Sequence, residues 1–178
     1  MAQTLERIAQ NGRDEFYKGE TAKILAKHMQ AKGGIITEED LASYEAIWRE
    51  PIVFPYRDLK IISMAPPSSG GITLAQILKM IEAYDLKKLG HHSAEYIQLI
   101  VEAERRAYAD RNFFLGDPDF VQIPVDKLLD SDYLKSRMET FNWEKATKSE
   151  DVAAGKIEFA ESIETTHYSI VDAEGNAV

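Results

Sequence analysis

The sequence predicts an α+β class, a mainly helical segment with a few short strands. Two observations carry this. Apolar residues recur at helical spacing in several stretches, most clearly over 20–32, 72–84 and 93–115. Short apolar or alternating runs, punctuated by prolines, gather between Ala46 and Ile62. The order is helices, then strands, then a turn into long helices.

Leu5 to Gln10 reads as a short helix ending near Asn11-Gly12, and Arg13 to Tyr17 as a second short segment. Glu20 to Lys32 is a better helix. Ala22, Ile24, Leu25, His28 and Met29 make its apolar stripe, and Gly33-Gly34 supplies the C-terminal cap. His28 lies beside that stripe, which predicts a partly buried histidine rather than a catalytic one. Thr37 can cap the next helix, and Glu38, Glu39 and Asp40 suit the positive end of its dipole. An acidic trio also invites a metal-site reading, but all three follow a cap residue directly. Ile47-Trp48, Ile52-Val53-Phe54 and Leu59-Lys60-Ile61-Ile62 predict two or three strands.

Pro66-Pro67-Ser68-Ser69-Gly70-Gly71 turns the chain into a helix over 72–84, with Leu74, Ile77, Leu78 and Ile81 at helical spacing. Hydroxyls beside glycines at a helix start can bind an anion or present a nucleophile. They also serve as caps, with the glycines permitting close packing. Leu86 to Gly90 ends this helix. His91-His92 precede the long helix of Ser93 to about Leu115; adjacent histidines are expected to point apart and make a poor metal site. Ile97, Ile100, Val101 and Tyr108 form the expected buried stripe of that helix, with Glu104 inside it. A carboxylate there needs a partner, and Arg105, Arg106 and Arg111 are candidates. The readings are a structural ion pair or a general acid/base.

Gly116-Asp117-Pro118-Asp119-Phe120 breaks the helix through Asx-type turns and carries too few ligands for calcium. Pro124 to Leu129 and Asp132 to Met138 read as short helices, and Phe141-Asn142-Trp143 as an anchoring apolar patch. Trp143 to Glu164 reads as a polar surface segment with a short helix near Ala146.

Composition narrows the function. A net charge of −9 disfavours nucleic acid and anionic membrane as partners, since both ask for a basic footprint. With no cysteine, disulfides and thiolate metal sites are excluded. No apolar run reaches the length of a membrane span. Met1 to Glu6 lacks the basic-then-apolar pattern of a signal peptide; a native signal could precede the chain if it is internal to a longer one.

The last stretch reads differently from the rest. Thr166 to Asp172 is rich in β-formers, so Thr165, His167, Ser169 and Val171 would share one strand face. Asp172-Ala173-Glu174-Gly175 fits a type I turn, and a second strand would begin at Asn176-Ala177-Val178. A hairpin missing most of one strand leaves an open edge. The expectation is a truncated hairpin belonging to a larger protein.

The run Thr165-Thr166-His167-Tyr168-Ser169, followed by Ile-Val-Asp-x-x-Gly-Asn-Ala-Val, resembles the nucleophile region of γ-glutamyltranspeptidases, which are N-terminal-nucleophile hydrolases. Phe16-Tyr17-Lys18-Gly19, Gly33-Gly34-Ile35-Ile36-Thr37-Glu38-Glu39-Asp40-Leu41, Ala65-Pro66-Pro67-Ser68-Ser69-Gly70-Gly71, Ala109-Asp110-Arg111 and Gly116-Asp117-Pro118-Asp119-Phe120 resemble that family in the same order. The resemblance implies part of an αββα fold. It makes residues 1–164 the C-terminal part of a large-subunit region and 165–178 the start of a small one. It implies a periplasmic or secreted setting and no cofactor or metal. It gives no catalytic role to Ser68 or Ser69.

The same resemblance makes Thr165 the nucleophile and Glu164–Thr165 the bond cleaved to expose it. Once Thr165 begins a chain, its own α-amine, with a reference pKa near ~7.7–8.0, is a competent base beside its Oγ. The implied substrates are γ-glutamyl compounds such as glutathione, with an amino acid, peptide or water as acceptor. The pocket residues have no matching positions here, so the segment is expected to be inactive without the remaining large- and small-subunit segments. A related acylase, a poly-γ-glutamate depolymerase and a non-catalytic scaffold of the same shape remain alternatives.

Overall fold

The computed structural model describes residues 2–157. The chain divides into two compact units, Met1–Trp48 and Arg49–Val178.

Four helices form the first unit: α1 (Ala2–Asn11), α2 (Arg13–Tyr17), α3 (Glu20–Ala31) and α4 (Glu38–Ser43). Ala22 and Ala26, one turn apart on α3, are buried, whereas Ile24 is exposed. His28 is exposed rather than partly buried. It lies about 200° around the helix from Ala26, which turns it outward. The buried polar group is instead Glu15. Its Oε1 accepts from Arg7 Nε at 2.8 Å, Thr21 N–H at 3.1 Å and Thr21 Oγ1 at 2.9 Å. Burial pushes its carboxyl up, but the Thr21 and Arg7 hydrogen bonds outweigh that and hold it below its ordinary value.

α3 stops where the glycines predict. Gly34 N–H donates to Met29 O at 2.7 Å and Gly33 N–H to Gln30 O at 3.1 Å, the paired bonds of a Schellman cap, with Gly33 at φ +76°. α4 starts with a full capping box: Asp40 N–H donates to Thr37 Oγ1 at 3.2 Å, and Thr37 N–H to Asp40 Oδ2 at 2.8 Å. The acidic trio is thus a helix start.

The second unit opens with a hairpin. β1 (Ile52–Tyr56) pairs antiparallel with β2 (Leu59–Ser63), from Ile52 opposite Ser63 to Tyr56 opposite Leu59. Ile47-Trp48 forms no strand. Ile52 and Phe54 are buried while Val53 between them is exposed, the alternation of a half-buried strand. Then follow α5 (Gly70–Ile81), α6 (Leu86–Leu89), α7 (Ala94–Phe114), α8 (Val125–Leu128) and α9 (Ser131–Arg137). A 3₁₀ turn at Ser149–Asp151 stands in place of the helix expected near Ala146.

α5 packs on α7, α9 and β1. One core group joins Ile52, Phe54, Ile72, Ala75, Phe114 and Leu128; the other joins Met80, Ile81, Leu99, Ala103, Ala107 and Leu134. α5 runs from Gly70 to Ile81, starting two residues earlier and ending three earlier than expected; at Gly71 it passes the exit of β2 so closely that a Cβ there would collide with the Met64 carbonyl and lie 2.9 Å from Ile52 Cβ.

The buried face of α7 is not the expected one. Ile97, Val101 and Tyr108 are exposed, and Glu104 is exposed with them. Leu99, Glu102, Ala103, Arg106, Ala107 and Asp110 turn inward. Ala103 and Ala107 explain the choice, because short side chains let α5 and α7 approach closely. Leu74 on α5 is likewise exposed, while Gln76 is buried.

Candidate active site

Glu164 and Thr165 lie outside the described residues, as do the expected 164/165 boundary and the hairpin beyond it. The structure describes the strap that leads to them, residues 147–157, and the buried polar cluster beneath it.

Glu102, Arg106 and Asp110 repeat every fourth residue on α7, so they share one face. Arg106 Nη1 lies 2.6 Å from Glu102 Oε2, with both side chains almost wholly buried. The same guanidinium donates to the Arg137 carbonyl (2.6 Å) and Thr140 Oγ1 (2.8 Å). Glu102 Oε1 accepts Thr147 N–H at 2.8 Å. Burial pushes the Glu102 carboxyl up, but hydrogen bonds from Thr147 and Arg106 prevail and hold it below its ordinary value. Arg105 Nη1 donates to the Thr147 carbonyl.

One turn further on, Asp110 Oδ2 accepts from Gln76 Nε2 (3.0 Å) and Tyr133 Oη (2.8 Å). Its Oδ1 accepts Gly155 N–H at 2.9 Å and faces Arg137 Nη2 at 3.1 Å. Arg137 Nη2 also donates to the Ala153 carbonyl at 2.9 Å. Burial, then the Asp110 charge, pushes the Tyr133 hydroxyl up, so it stays a donor. Gly155 sits where a Cβ would press into Tyr133, 2.6 Å from Cε2 and 2.7 Å from Cζ. Ala154 and Ile157 pack against the core. The expected loose surface segment is therefore held at Thr147, Ala153 and Gly155, because buried charges on α7 and α9 need its backbone as partner.

The predicted carboxylate Glu104 plays no part in this cluster. Glu102 and Asp110 were missed because reading α7 by its large apolar residues assigned the wrong face. The signal was Glu102-Ala103-x-x-Arg106-Ala107-x-x-Asp110, opposite charges at one-turn spacing beside alanines. Glu102 is ionised and fully partnered, so the cluster suits holding rather than proton transfer.

The other candidates resolve locally. Ser68 Oγ accepts Gly70 N–H at 3.3 Å, and Ser69 Oγ accepts from Arg111 Nε at 3.0 Å, so both hydroxyls are occupied at the start of α5. Asp119 Oδ2 lies 2.6 Å from Arg49 Nη2, and Asp119 N–H donates to Asp117 Oδ1 at 3.0 Å, which accounts for the Asp-Pro-Asp turn. His91 and His92 do not point apart; their rings stack at 3.7 Å, with His92 at φ +60°. The positive φ swings the second side chain back over the first. Among the described residues no group of three or more His, Asp or Glu side chains is placed to hold a metal.

The model of the family described as gamma-glutamyltranspeptidase matches residues 1–178. A glutathione hydrolase proenzyme of Escherichia coli (strain K12) is 51% identical over 178 residues, covering 100% of this chain and 31% of that protein. An acylase ACY 1 proenzyme of Pseudomonas sp. (strain SE83) is 39% identical over 177 residues, covering 99% of this chain and again 31% of the relative. The chain thus spans about a third of the length of these relatives. Among solved structures, the Helicobacter pylori gamma-glutamyltranspeptidase superposes with a TM-score of 0.78 at 45% identity, over 92% of this chain and 47% of that one. Mixed helices around a two-stranded antiparallel sheet are therefore this chain's share of a known architecture. The chain belongs to the gamma-glutamyltranspeptidase family.

Proposed function

We propose that this chain is the nucleophile-bearing segment of an N-terminal-nucleophile hydrolase that transfers or hydrolyses γ-glutamyl groups. The observation that carries it is the Thr165-Thr166-His167-Tyr168-Ser169 run at the end of a family match covering the whole chain. Residues 1–164 close the large subunit, and 165–178 open the small one.

Maturation begins when Thr165 Oγ attacks the Glu164 carbonyl carbon. The C–N bond breaks, the nitrogen takes up the hydroxyl proton, and Glu164 is left as an ester on Oγ. Water hydrolyses that ester, releasing the Glu164 carboxylate and restoring the hydroxyl. The new α-amine then takes the proton of Oγ as Oγ attacks the γ-carbonyl of a donor such as glutathione; the γ-amide C–N bond breaks and the rest of the donor leaves as an amine carrying that proton. The γ-glutamyl ester passes to an amino acid, a peptide or water. The groups that orient the glutamate and stabilise the oxyanion come from the rest of the parent protein.

The test is made on the parent protein. Thr165→Ala abolishes both the chain break and γ-glutamyl release, whereas a scaffold of the same shape is indifferent to it. The 178-residue chain alone stays a single species near 20.1 kDa and releases no γ-glutamyl product. Likeness to an acylase ACY 1 proenzyme favours a second reading, an acylase. A γ-glutamyl amide and a glutaryl amide separate the two, because only the first carries the α-ammonium group. Preference for the glutaryl amide selects the acylase.

A further inference from the structure

α7 carries apolar residues on opposite sides. At ~100° per residue, its inward residues, from Leu99 and Glu102 to Asp110, centre about half a turn away from Ile97, Val101 and Tyr108. That second row stays 49%, 37% and 52% exposed. Ile97 and Val101 also line a groove of about 400 Å³, with Ala94 beside them on α7 and with Glu144 and Ala146 on the facing wall. The walls are fixed to each other. Gln98 Nε2 donates to the Asn142 carbonyl at 2.8 Å, and Glu102 Oε1 accepts Thr147 N–H at 2.8 Å. Single apolar residues on a surface need no explanation, but a row of them beside a ready groove marks a contact surface.

The charges of this surface select what fits it. Glu104 lies in the row and Glu144 on the facing wall, and neither has an ion-pair partner among the described residues. The guanidinium groups that flank the row are committed elsewhere, Arg105 to the Thr147 carbonyl and Arg111 to Ser69 Oγ. A fitting occupant is therefore apolar along one side and basic at its edges. Residues 158–178 do not meet that description, with five acids (Glu158, Glu161, Glu164, Asp172 and Glu174) and no Lys or Arg. A second copy applied face to face does not meet it either, because a two-fold axis sets Glu104 against its own counterpart. The parent protein has the material, since this chain spans about a third of the length of the relatives it matches. We infer that, whatever the role of Thr165, the outer face of α7 seats a basic amphipathic helix supplied by the parent protein outside residues 1–178. Ile97, Val101 and Tyr108 take its apolar stripe, as a helix is laid in a groove. Glu104 and Glu144 meet Lys or Arg at its rim, and such exposed pairs choose the partner more than they tighten the contact.

The experiment uses the parent protein. Residues 1–178 contain no cysteine, so one introduced there is followed by mapping its labelled peptide. Val101→Cys and Ile97→Cys report the face, and Lys88→Cys, at an exposed side chain of α6, is the open reference. With a maleimide, the face variants label at least about tenfold more slowly than Lys88→Cys in the folded parent, and at the same rate in urea. Equal rates in the folded parent leave the face bare and overturn the inference. A benzophenone side chain in place of Tyr108 then identifies the occupant, in a mixture of ordinary and heavy-isotope parent. The expected cross-link joins α7 to a peptide of the same molecule outside residues 1–178, with apolar residues at helical spacing and Lys or Arg beside them. A cross-link to residues 158–178, to a second copy or to another protein overturns the inference. So does an acidic captured peptide, or no capture at all.

Discussion

Arg106 Nη1 lies 2.6 Å from Glu102 Oε2, one helical turn away, and both side chains are closed off from solvent. In Glu102→Ala the guanidinium keeps its burial and loses its counter-charge, which costs about 3–5 kcal/mol. Glu104→Gln, two residues on at an exposed position, changes stability by less than about 0.5 kcal/mol. Urea unfolding of the two variants measures the difference, and equal losses would restore the face of α7 expected from its large apolar residues.

The Glu102 carboxyl is held below its ordinary value of 4.5. The unfolded chain therefore binds the proton more readily than the folded one. The stabilisation from this group is complete above the ordinary value and is lost as the pH falls through the lower folded value. Acid unfolding curves of the chain and of Glu102→Gln converge below that folded value and separate above it.

Leu99 on α7 has no exposed surface and belongs to the second core group with Met80 and Ile81 of α5 and Leu134 of α9. Leu99→Ala leaves a cavity and costs about 2–5 kcal/mol. The denaturant midpoint checks this, with the slope unchanged.

Thr37 caps α4 in the first unit. Thr37→Ala removes the acceptor of the Asp40 N–H at a cost of about 1 kcal/mol. Amide exchange at Asp40 speeds up by roughly five- to tenfold for that loss, with protection in α7 unaffected.

Local chemistry was legible in the sequence, and tertiary choice was not. Gly33-Gly34, Thr37 and Ser93 mark their helix ends through backbone groups within a few residues, and all three stand where expected. The face of α7 is another matter. It carries apolar residues on two sides, and only packing against α5 decides between Leu99-Ala103-Ala107 and Ile97-Val101-Tyr108. The same decision hid Glu102 and Asp110, so the strap read as loose surface until the charges needing its backbone were placed. His91-His92 failed for a backbone reason, because a positive φ at a non-glycine residue leaves no clear mark in sequence. The proposal of Thr165 as nucleophile rests on resemblance alone; an isolated Thr-Thr pair in a β-rich run carries no such meaning.

Intact-mass analysis of the parent protein, unaltered and with Thr165→Ala, tests the assignment of Thr165 most directly. Two chains, the second beginning at Thr165, together with γ-glutamyl release, are expected from the unaltered protein, and one silent, uncleaved chain from the variant. A Thr165→Ala protein that still breaks between residues 164 and 165, or still releases the γ-glutamyl product, would contradict it.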